Sequence, residues 1–218
     1  MKRAIPRSAK LGRRRVNDPE GTRRNIVEVA TKEFAGKGFS GARVDDIAAK
    51  TRTSKRMIYY YFGGKAGLYI AVLEAAYREI RSIEGDLDLE HQDPEQALRA
   101  LVAFTFDYQH DNPEFVRLVM NENILDGAYV ARSKVIQQLN SPAIEALRDL
   151  LQRGQRSGVF RNDVDPVDLH MTISALAFFN VGNRATFSKI FKRDMTSSKA
   201  LTARRDQVVE TVLRYACR

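Results

Sequence analysis

Apolar residues recur at helical spacing in a short segment near the start of the chain. Val44, Ile47 and Ala48 stand at i, i+3 and i+4, which predicts a helix with one apolar stripe. The polar residues 51–53 follow and predict a turn. Ser54 then stands where a helix N-cap is favoured, because its hydroxyl accepts hydrogen bonds from the free amides of the next turn. A second helix should therefore begin at once.

The second helix repeats the spacing, since Ile58, Tyr61 and Phe62 form its inward face. Its opposite face carries cationic and phenolic side chains, which suit phosphate oxygens and base edges. These residues are Lys55, Arg56, Met57, Tyr59 and Tyr60. Two short helices and a tight turn predict a helix-turn-helix whose second helix enters a major groove of DNA.

The rest of the chain also predicts helices. Asp18-Pro19 begins the first of them, which Gly36 and Gly38 should end. A long amphipathic helix should cover residues 65–84, and Ser198 should begin the last helix. Each of the others starts where a capping side chain precedes a proline. These pairs are Asp93-Pro94, Asn112-Pro113, Ser141-Pro142 and Asp165-Pro166. No long segment alternates with period two, so the prediction is an all-α protein with a bundle behind a three-helix DNA-binding head.

The positive charge is concentrated at the N-terminal end. Residues 1–17 carry seven lysine or arginine residues and no acid, residues 18–64 carry a net charge of +3, and the remaining residues carry −1, within a total of +9. This asymmetry indicates a nucleic-acid-binding module attached to a nearly uncharged remainder of the same chain. Residues 1–17 should be disordered alone. They are either a solvated tail or an arm in which Arg13, Arg14 and Arg15 follow the DNA.

Composition excludes several other classes of protein. One cysteine, Cys217, cannot build a disulfide framework, and no CxxC pair is present, which favours a reducing cytoplasm. The longest apolar stretch, residues 173–181, is interrupted by Ser174 and Asn180 and is too short to cross a membrane. No spaced catalytic constellation, phosphate-binding loop or dinucleotide fingerprint appears, so we expect neither an enzyme nor a cofactor. His91, His110 and His170 stand far apart, which argues against a metal site.

The head resembles the tetracycline-repressor (TetR) family of bacterial regulators. The resemblance includes AxxxFAxKGF over residues 30–39 and a set of matching positions in the helix-turn-helix. These are Val44, Ile47, Ala48, Ser54, Ile58, Tyr59, Tyr61, Phe62, Lys65 and Leu68. The family commonly has glycine where Arg52 stands, and threonine or serine where Arg43 stands. We expect the Arg43 guanidinium to make the phosphate contact instead.

The resemblance adds Lys65 to the residues that we expect to bind DNA. Lys65 and the free amides of the helix that it opens should hold a phosphate. The full predicted set is Arg43, Thr53, Ser54, Lys55, Arg56, Met57, Tyr59, Tyr60 and Lys65, with Arg13, Arg14 and Arg15 of the arm.

Three further segments, residues 104–127, 148–161 and 175–184, resemble a C-terminal ligand domain of the same family. The resemblance implies a homodimer in which helices over about 166–186 and 198–217 pair with their copies. It also implies a repressor that a small molecule releases from a palindromic operator. The expected domains are a basic arm (1–17), a DNA-binding domain (18–70) and a ligand-binding and dimerisation domain (71–218). An effector-independent structural DNA-binding protein with the same head is the alternative.

Several polar residues lie on apolar helices of the C-terminal part. They either bond each other and helix ends, or they orient a ligand in an apolar pocket. The predicted pocket residues are Phe104, Tyr108, Phe115, Asn121, Glu122, Phe178, Asn180, Asn183 and Arg184. An inward Arg184 would suit a carboxylate ligand.

Overall fold

The structure is a computed structural model that describes residues 18–51 and 53–218. The N-terminal helices are α1 (Pro19–Gly41), α2 (Val44–Thr51), α3 (Lys55–Phe62) and the long α4 (Lys65–Gly85). The C-terminal elements are α5 (Pro94–Asp111), α6 (Pro113–Ile124), the 3-10 helix η1 (Val130–Arg132), α7 (Lys134–Arg156), α8 (Pro166–Gly182), α9 (Arg184–Ile190) and α10 (Ser198–Ala216). The predicted all-α class is confirmed. None of the described helices has both the length and the apolar character that a bilayer-spanning segment needs.

Helix α1 begins as predicted but ends differently. Asp18 Oδ1 accepts a hydrogen bond from the Gly21 amide at 2.8 Å, and Pro19 takes the first helical position. Gly36 continues the helix, so its predicted role as a stop was wrong. Gly38 has a φ of 68° and kinks the chain before a last turn to Gly41. Because L-residues with side chains rarely adopt this φ, glycine is required at the kink.

One apolar cluster joins the head to the rest of the molecule. Phe34 of α1, Ile58 of α3 and Leu68 of α4 are all fully buried in it. The same cluster includes Leu118 of α6 and Ile136 of α7. Helices α1 and α4 therefore pack against α6 and α7, and the N-terminal helices share this core with the C-terminal part.

Glu33 fixes α2 against α1 by charge. Its side chain is 3% exposed, and it forms ion pairs with Lys37 and with Lys50, whose Nζ lies 2.5 Å from Glu33 Oε2. Hydrogen bonds from Lys37 and Lys50 lower the pKa of the Glu33 carboxyl. A buried carboxylate is tolerated only when it is paired in this way.

The C-terminal bundle has its own apolar core, formed by α5, α7, α8 and α10. Two of its helices begin as predicted. Asp93 Oδ1 accepts hydrogen bonds from the amides of Glu95 and Gln96, and Asp165 Oδ1 accepts one from the Val167 amide at 2.8 Å. Helix α6 also begins at Pro113 with Asn112 at the N-cap, but the Asn112 side chain forms no cap bond, and its Nδ2 donates to the Tyr108 carbonyl at 2.9 Å instead.

Two predicted helix boundaries were wrong. Ser141-Pro142 does not begin a helix, because α7 starts at Lys134 with Ser133 as its N-cap and continues through Pro142. The predicted helix over residues 166–186 is two helices, since α8 ends at Gly182 and α9 begins at Arg184. The last helix begins at Ser198 as predicted, with Ser197 as its N-cap.

Replacing Pro142 with alanine should stabilise the protein. An internal proline lacks an amide donor and crowds the preceding turn, which destabilises the folded state by about 3 kcal/mol. Proline also makes the unfolded chain less flexible, which offsets up to about 1 kcal/mol of this cost. We expect Pro142→Ala to raise the free energy of urea unfolding by about 1–2 kcal/mol. Ser141→Ala, an exposed neighbour, is the control. A lower unfolding midpoint for Pro142→Ala would contradict this expectation.

Candidate nucleic-acid interface and ligand cavity

The recognition helix α3 is held by a cap at each end and one buried side chain. Ser54 Oγ accepts a hydrogen bond from the Met57 amide at 3.3 Å, as predicted for an N-cap. Ile58 is fully buried in the head core. Gly63, with a φ of 71°, ends the helix. Its orientation is therefore fixed by the core, and the opposite face points outward.

The outward face of α3 carries the predicted phenols and cations. Tyr59 is 49% exposed and Tyr60 is 77% exposed. Lys55 and Arg56 are also exposed, whereas Met57 is half-buried. Large phenols with this exposure gain little from the fold itself, and their rings are accessible to a partner.

Lys55 differs from the expectation of a free cation. Its Nζ lies 3.0 Å from Asp45 Oδ1 of α2, and this hydrogen bond raises the pKa of Lys55. No described residue forms an ion pair with Arg56. Of the two cations at the start of α3, Arg56 is therefore the one with its charge available.

Of the other predicted DNA-contacting residues, four lie in the described part of the chain. Arg43 is exposed at the start of α2, Ser54 is exposed and Thr53 is half-buried. Lys65 opens α4, and its Nζ lies 3.3 Å from the Ser40 carbonyl oxygen. Arg52 and the arm residues Arg13, Arg14 and Arg15 lie outside the described residues.

Sequence reasoning missed Gly67, which lets α3 and α4 meet closely. A Cβ at this position would clash with the carbonyl oxygen of Phe62. Its only sequence signal is a glycine in the first turn of an amphipathic helix, which is unusual because glycine weakens helices.

A cavity of about 440 Å³ lies within the C-terminal bundle, between α4, α5, α6, α7 and α8. This central cavity combines aromatic walls with polar side chains. Its lining residues are Tyr77, Ile80, Arg81, Glu84, Thr105, Gln109, Phe115, Val119, Val130, Ile136, Gln137, Asn140, His170, Ser174 and Phe178. A volume of this size and a lining of aromatic and polar side chains are typical of small-molecule sites.

The polar groups of the central cavity are only partly satisfied by each other. Arg81 Nε donates to Asn140 Oδ1 at 2.9 Å, and Arg81 also pairs with Glu84. Burial raises the pKa of Glu84 and lowers that of His170, so the imidazole is neutral at pH 7. Gln109 is 4% exposed, and its Oε1 has no hydrogen-bond partner in the described part of the chain. Such an unpaired buried oxygen is costly.

Of the predicted pocket residues, Phe115 and Phe178 line the central cavity. Tyr108 lies behind Phe115, with ring centroids 5.8 Å apart, and Phe104 lies 5.8 Å from Tyr108. These two rings support the cavity wall.

Asn121 and Glu122 do not line the central cavity. Asn121 Nδ2 donates to the Phe34 carbonyl of α1 at 3.2 Å. Glu122 is buried, and its Oε1 accepts hydrogen bonds from the amides of Tyr129 and Val130 at 2.6 and 3.0 Å. The alternative interpretation, that these groups satisfy backbone polar groups, is the one that the structure supports.

Asn180, Asn183 and Arg184 also lie elsewhere. Asn180 is buried beside a separate cleft of about 530 Å³ between α8, α9 and α10. Asn183 is exposed at the junction of α8 and α9, and Arg184 is the first residue of α9. Arg184 is thus not the cation of the central cavity, and Arg81 takes that position.

Comparison with known families identifies this arrangement. Residues 26–72 match the family of bacterial regulatory proteins called the tetR family, and residues 94–212 match the tetracyclin repressor-like C-terminal domain. The chain belongs to the TetR family. This family consists of DNA-binding transcriptional regulators and not of enzymes.

Individual relatives support the assignment to the TetR family. The chain is 38% identical over 186 residues to the HTH-type transcriptional repressor NicS of Pseudomonas putida, covering 85% of this chain and 88% of NicS. It is 33% identical to the repressor SCO4008 of Streptomyces coelicolor, over 73% of this chain and 78% of that protein. The crystal structure of the transcriptional regulator SCO4942 of the same species is similar with a TM-score of 0.67 and 29% identity, over 89% and 98% of the two chains.

His170 should make the stability of this TetR-family protein depend on pH. Below a pH of about 6.5 the imidazole of the unfolded chain takes up a proton, which the buried imidazole resists. Stability is therefore lost as the pH falls from about 7 to 5, with a slope no steeper than about 1.4 kcal/mol per pH unit. Denaturant unfolding of the wild type and His170→Gln should show this difference. Glu84 and Arg81 are present in both proteins, so their contributions largely cancel, and parallel pH profiles would contradict the prediction.

Proposed function

We propose that this protein is a ligand-responsive repressor that binds a near-palindromic operator as a homodimer and is released by a small molecule. It would act in the cytoplasm, where bacterial operator DNA lies. The observation that carries the proposal is the outward face of α3, where Tyr60 is 77% exposed while Ile58 anchors the helix in the core. Its relatives NicS and SCO4008 are named transcriptional repressors.

The DNA contacts would come from both helices of the helix-turn-helix and from the start of α4. Arg56, Tyr59 and Tyr60 would face the major groove, and Arg43 and Lys65 would contact phosphates. Lys55 would contribute after exchanging Asp45 for a phosphate oxygen. Thr53, Ser54 and Met57 complete the surface, and Arg13, Arg14 and Arg15 of the arm are proposed to follow the backbone.

A homodimer is supported by an apolar stripe on α8. Val167, Met171 and Phe179 are 54, 62 and 40% exposed. They stand four or eight residues apart, as does exposed Ala175, so they share one face of the helix. An exposed apolar face of this kind typically marks an interface. A second copy that packs α8 and α10 against their equivalents would cover it and place two heads about 34–36 Å apart, one turn of DNA.

The central cavity is the proposed effector site. Tyr77, Phe115 and Phe178 supply apolar walls, and Gln109 supplies an unpaired acceptor. Asn121, Glu122, Asn183 and Arg184 are left out of the proposed set because they lie outside this cavity. An effector can release the operator only if it binds one conformation better than the other. A cavity of about 440 Å³ also argues against an effector-independent structural protein, for which a filled core is expected.

Genome-wide binding tests the operator part of the proposal. We expect few sites, located in promoters, each near-palindromic and occupied by two protomers. Arg56→Ala should weaken binding to such a site by about 1–3 kcal/mol, because the guanidinium no longer binds a phosphate or a base edge. Arg99→Ala, an exposed arginine of α5, is the matched control. Many scattered sites with little sequence preference would instead support the structural DNA-binding alternative.

Binding of small aromatic probes tests the effector site. Phenol, benzamide and benzoate share one ring and differ in the polar group offered to Gln109 and Arg81. We expect at least one to raise the unfolding temperature, with about 2.7 kcal/mol of stabilisation at a hundred times its dissociation constant. Ser174→Trp should fill the cavity and abolish the shift, whereas Asn183→Ala should not. A shift that persists in Ser174→Trp would place the site elsewhere.

A further inference from the structure

The phosphate-contacting lysine of the proposed function is held by an aromatic ring of α1. Lys65 Nζ lies 4.8 Å above the ring centroid of Phe39, and 3.3 Å from the Ser40 carbonyl oxygen. An ammonium group over an aromatic face is attracted by the negative charge of that face. The position of the Lys65 charge at the head surface therefore depends on where the Phe39 ring lies.

The Phe39 ring is supported from outside the head. Tyr129, from the connection between α6 and α7, lies with its ring centroid 4.5 Å from that of Phe39. Tyr69 of α4 completes the group, 5.2 Å from Phe39 and 5.1 Å from Tyr129, with the two tyrosine rings nearly perpendicular. Rings at these distances pack favourably, and the protein interior deforms little around them.

The connection that supplies Tyr129 also lines the central cavity. Val130, the next residue, is one of the cavity-lining side chains. The turn is fixed on one side by Glu122 Oε1, which accepts hydrogen bonds from the amides of Tyr129 and Val130 at 2.6 and 3.0 Å. On the other side Ser133 Oγ donates to Glu74 Oε1 of α4 at 2.6 Å. A rigid turn thus has one side chain at the cavity and its neighbour against Phe39.

We propose that Tyr129 is a positioning residue that sets the Lys65 ammonium for its DNA phosphate and transmits the state of the central cavity to that contact. A ligand that displaces Val130 moves the turn as a unit, because the amides of Tyr129 and Val130 both donate to Glu122 Oε1. The Tyr129 ring then leaves Phe39, and the Lys65 ammonium moves away from its position at the surface. This inference rests on the proposed function, since it assumes that Lys65 contacts DNA.

The salt dependence of operator binding tests the role of Tyr129. The plot of log K against log salt has a negative slope, whose magnitude decreases by about 0.9 for each phosphate that the protein no longer neutralises. In a dimer in which neither Lys65 reaches its phosphate, the magnitude of the slope should therefore decrease by about 1.8. We expect Tyr129→Leu and Lys65→Met each to reduce the slope by this amount. The double variant should show no further reduction. Tyr129→Phe keeps the ring and should behave as the wild type.

The slope separates positioning from simple destabilisation. A variant that is partly unfolded binds with a smaller active fraction but still neutralises the same number of phosphates, so its slope is unchanged. If Tyr129→Leu fails to fold, Tyr129→Met keeps the apolar volume without the ring and should show the same reduced slope. A wild-type slope in the folded ring-deleted variant, or reductions that add in the double variant, would overturn the inference.

Failure of the proposed function and failure of this inference give different results. If the wild type does not bind the operator, or if Lys65→Met binds it with an unchanged salt slope, the assumed phosphate contact is refuted. A reduced slope for Lys65→Met together with an unchanged slope for Tyr129→Leu would refute only the positioning role. A phenol, benzamide or benzoate probe that binds the central cavity should reduce the operator affinity of the wild type. It should reduce that of Tyr129→Leu by a smaller factor.

Discussion

The apolar core shared by the head and the bundle is the constraint on which the rest of the structure depends. Ile58 of the recognition helix and Ile136 of α7 belong to one cluster, with Leu118 of α6 between the two parts of the chain. Because packed side chains transmit displacement and do not absorb it, a change in the bundle cannot leave the head where it was. A TetR-family regulator without a flexible linker can therefore couple two distant sites.

Buried polar residues divide into two groups with different consequences. Glu33 and Glu122 each have a carboxylate oxygen in hydrogen bonds, the first with lysines and the second with backbone amides. Such groups fix one arrangement of the chain, because any other arrangement leaves a buried charge unpaired. Gln109 lines the central cavity and has an oxygen with no partner among the described residues. The first group gives the fold its uniqueness, and the second leaves the interaction energy that a ligand can use.

The head could be predicted from sequence because its determinants are local. The apolar stripes that include Val44 in α2 and Ile58 in α3, and the cap at Ser54, depend only on neighbours along the chain. The structure contains all three features as predicted. The lining of the central cavity could not be predicted, because Asn121 and Arg81 are both polar residues on amphipathic helices and the sequence does not show which of them faces a cavity. The packing of α6 against α1 directs Asn121 to a backbone carbonyl, and the packing of α4 against α7 places Arg81 at the cavity. Pro142 misled for a related reason, since α7 begins at Lys134 and tertiary packing overrides the local helix-start signal of Ser141-Pro142.

The magnitudes are consistent with control through a single contact in each protomer. Allosteric coupling between two ligands is typically about 1–3 kcal/mol. A charge-assisted hydrogen bond contributes about 1.5–3 kcal/mol, and its symmetric copy doubles the effect. On the proposed function, withdrawing the two Lys65 ammonium groups would therefore cost an amount comparable with this coupling. Linkage would then require the operator to weaken effector binding by the same factor, and the route through Tyr129 would place that energy in a distortion of the turn next to Val130.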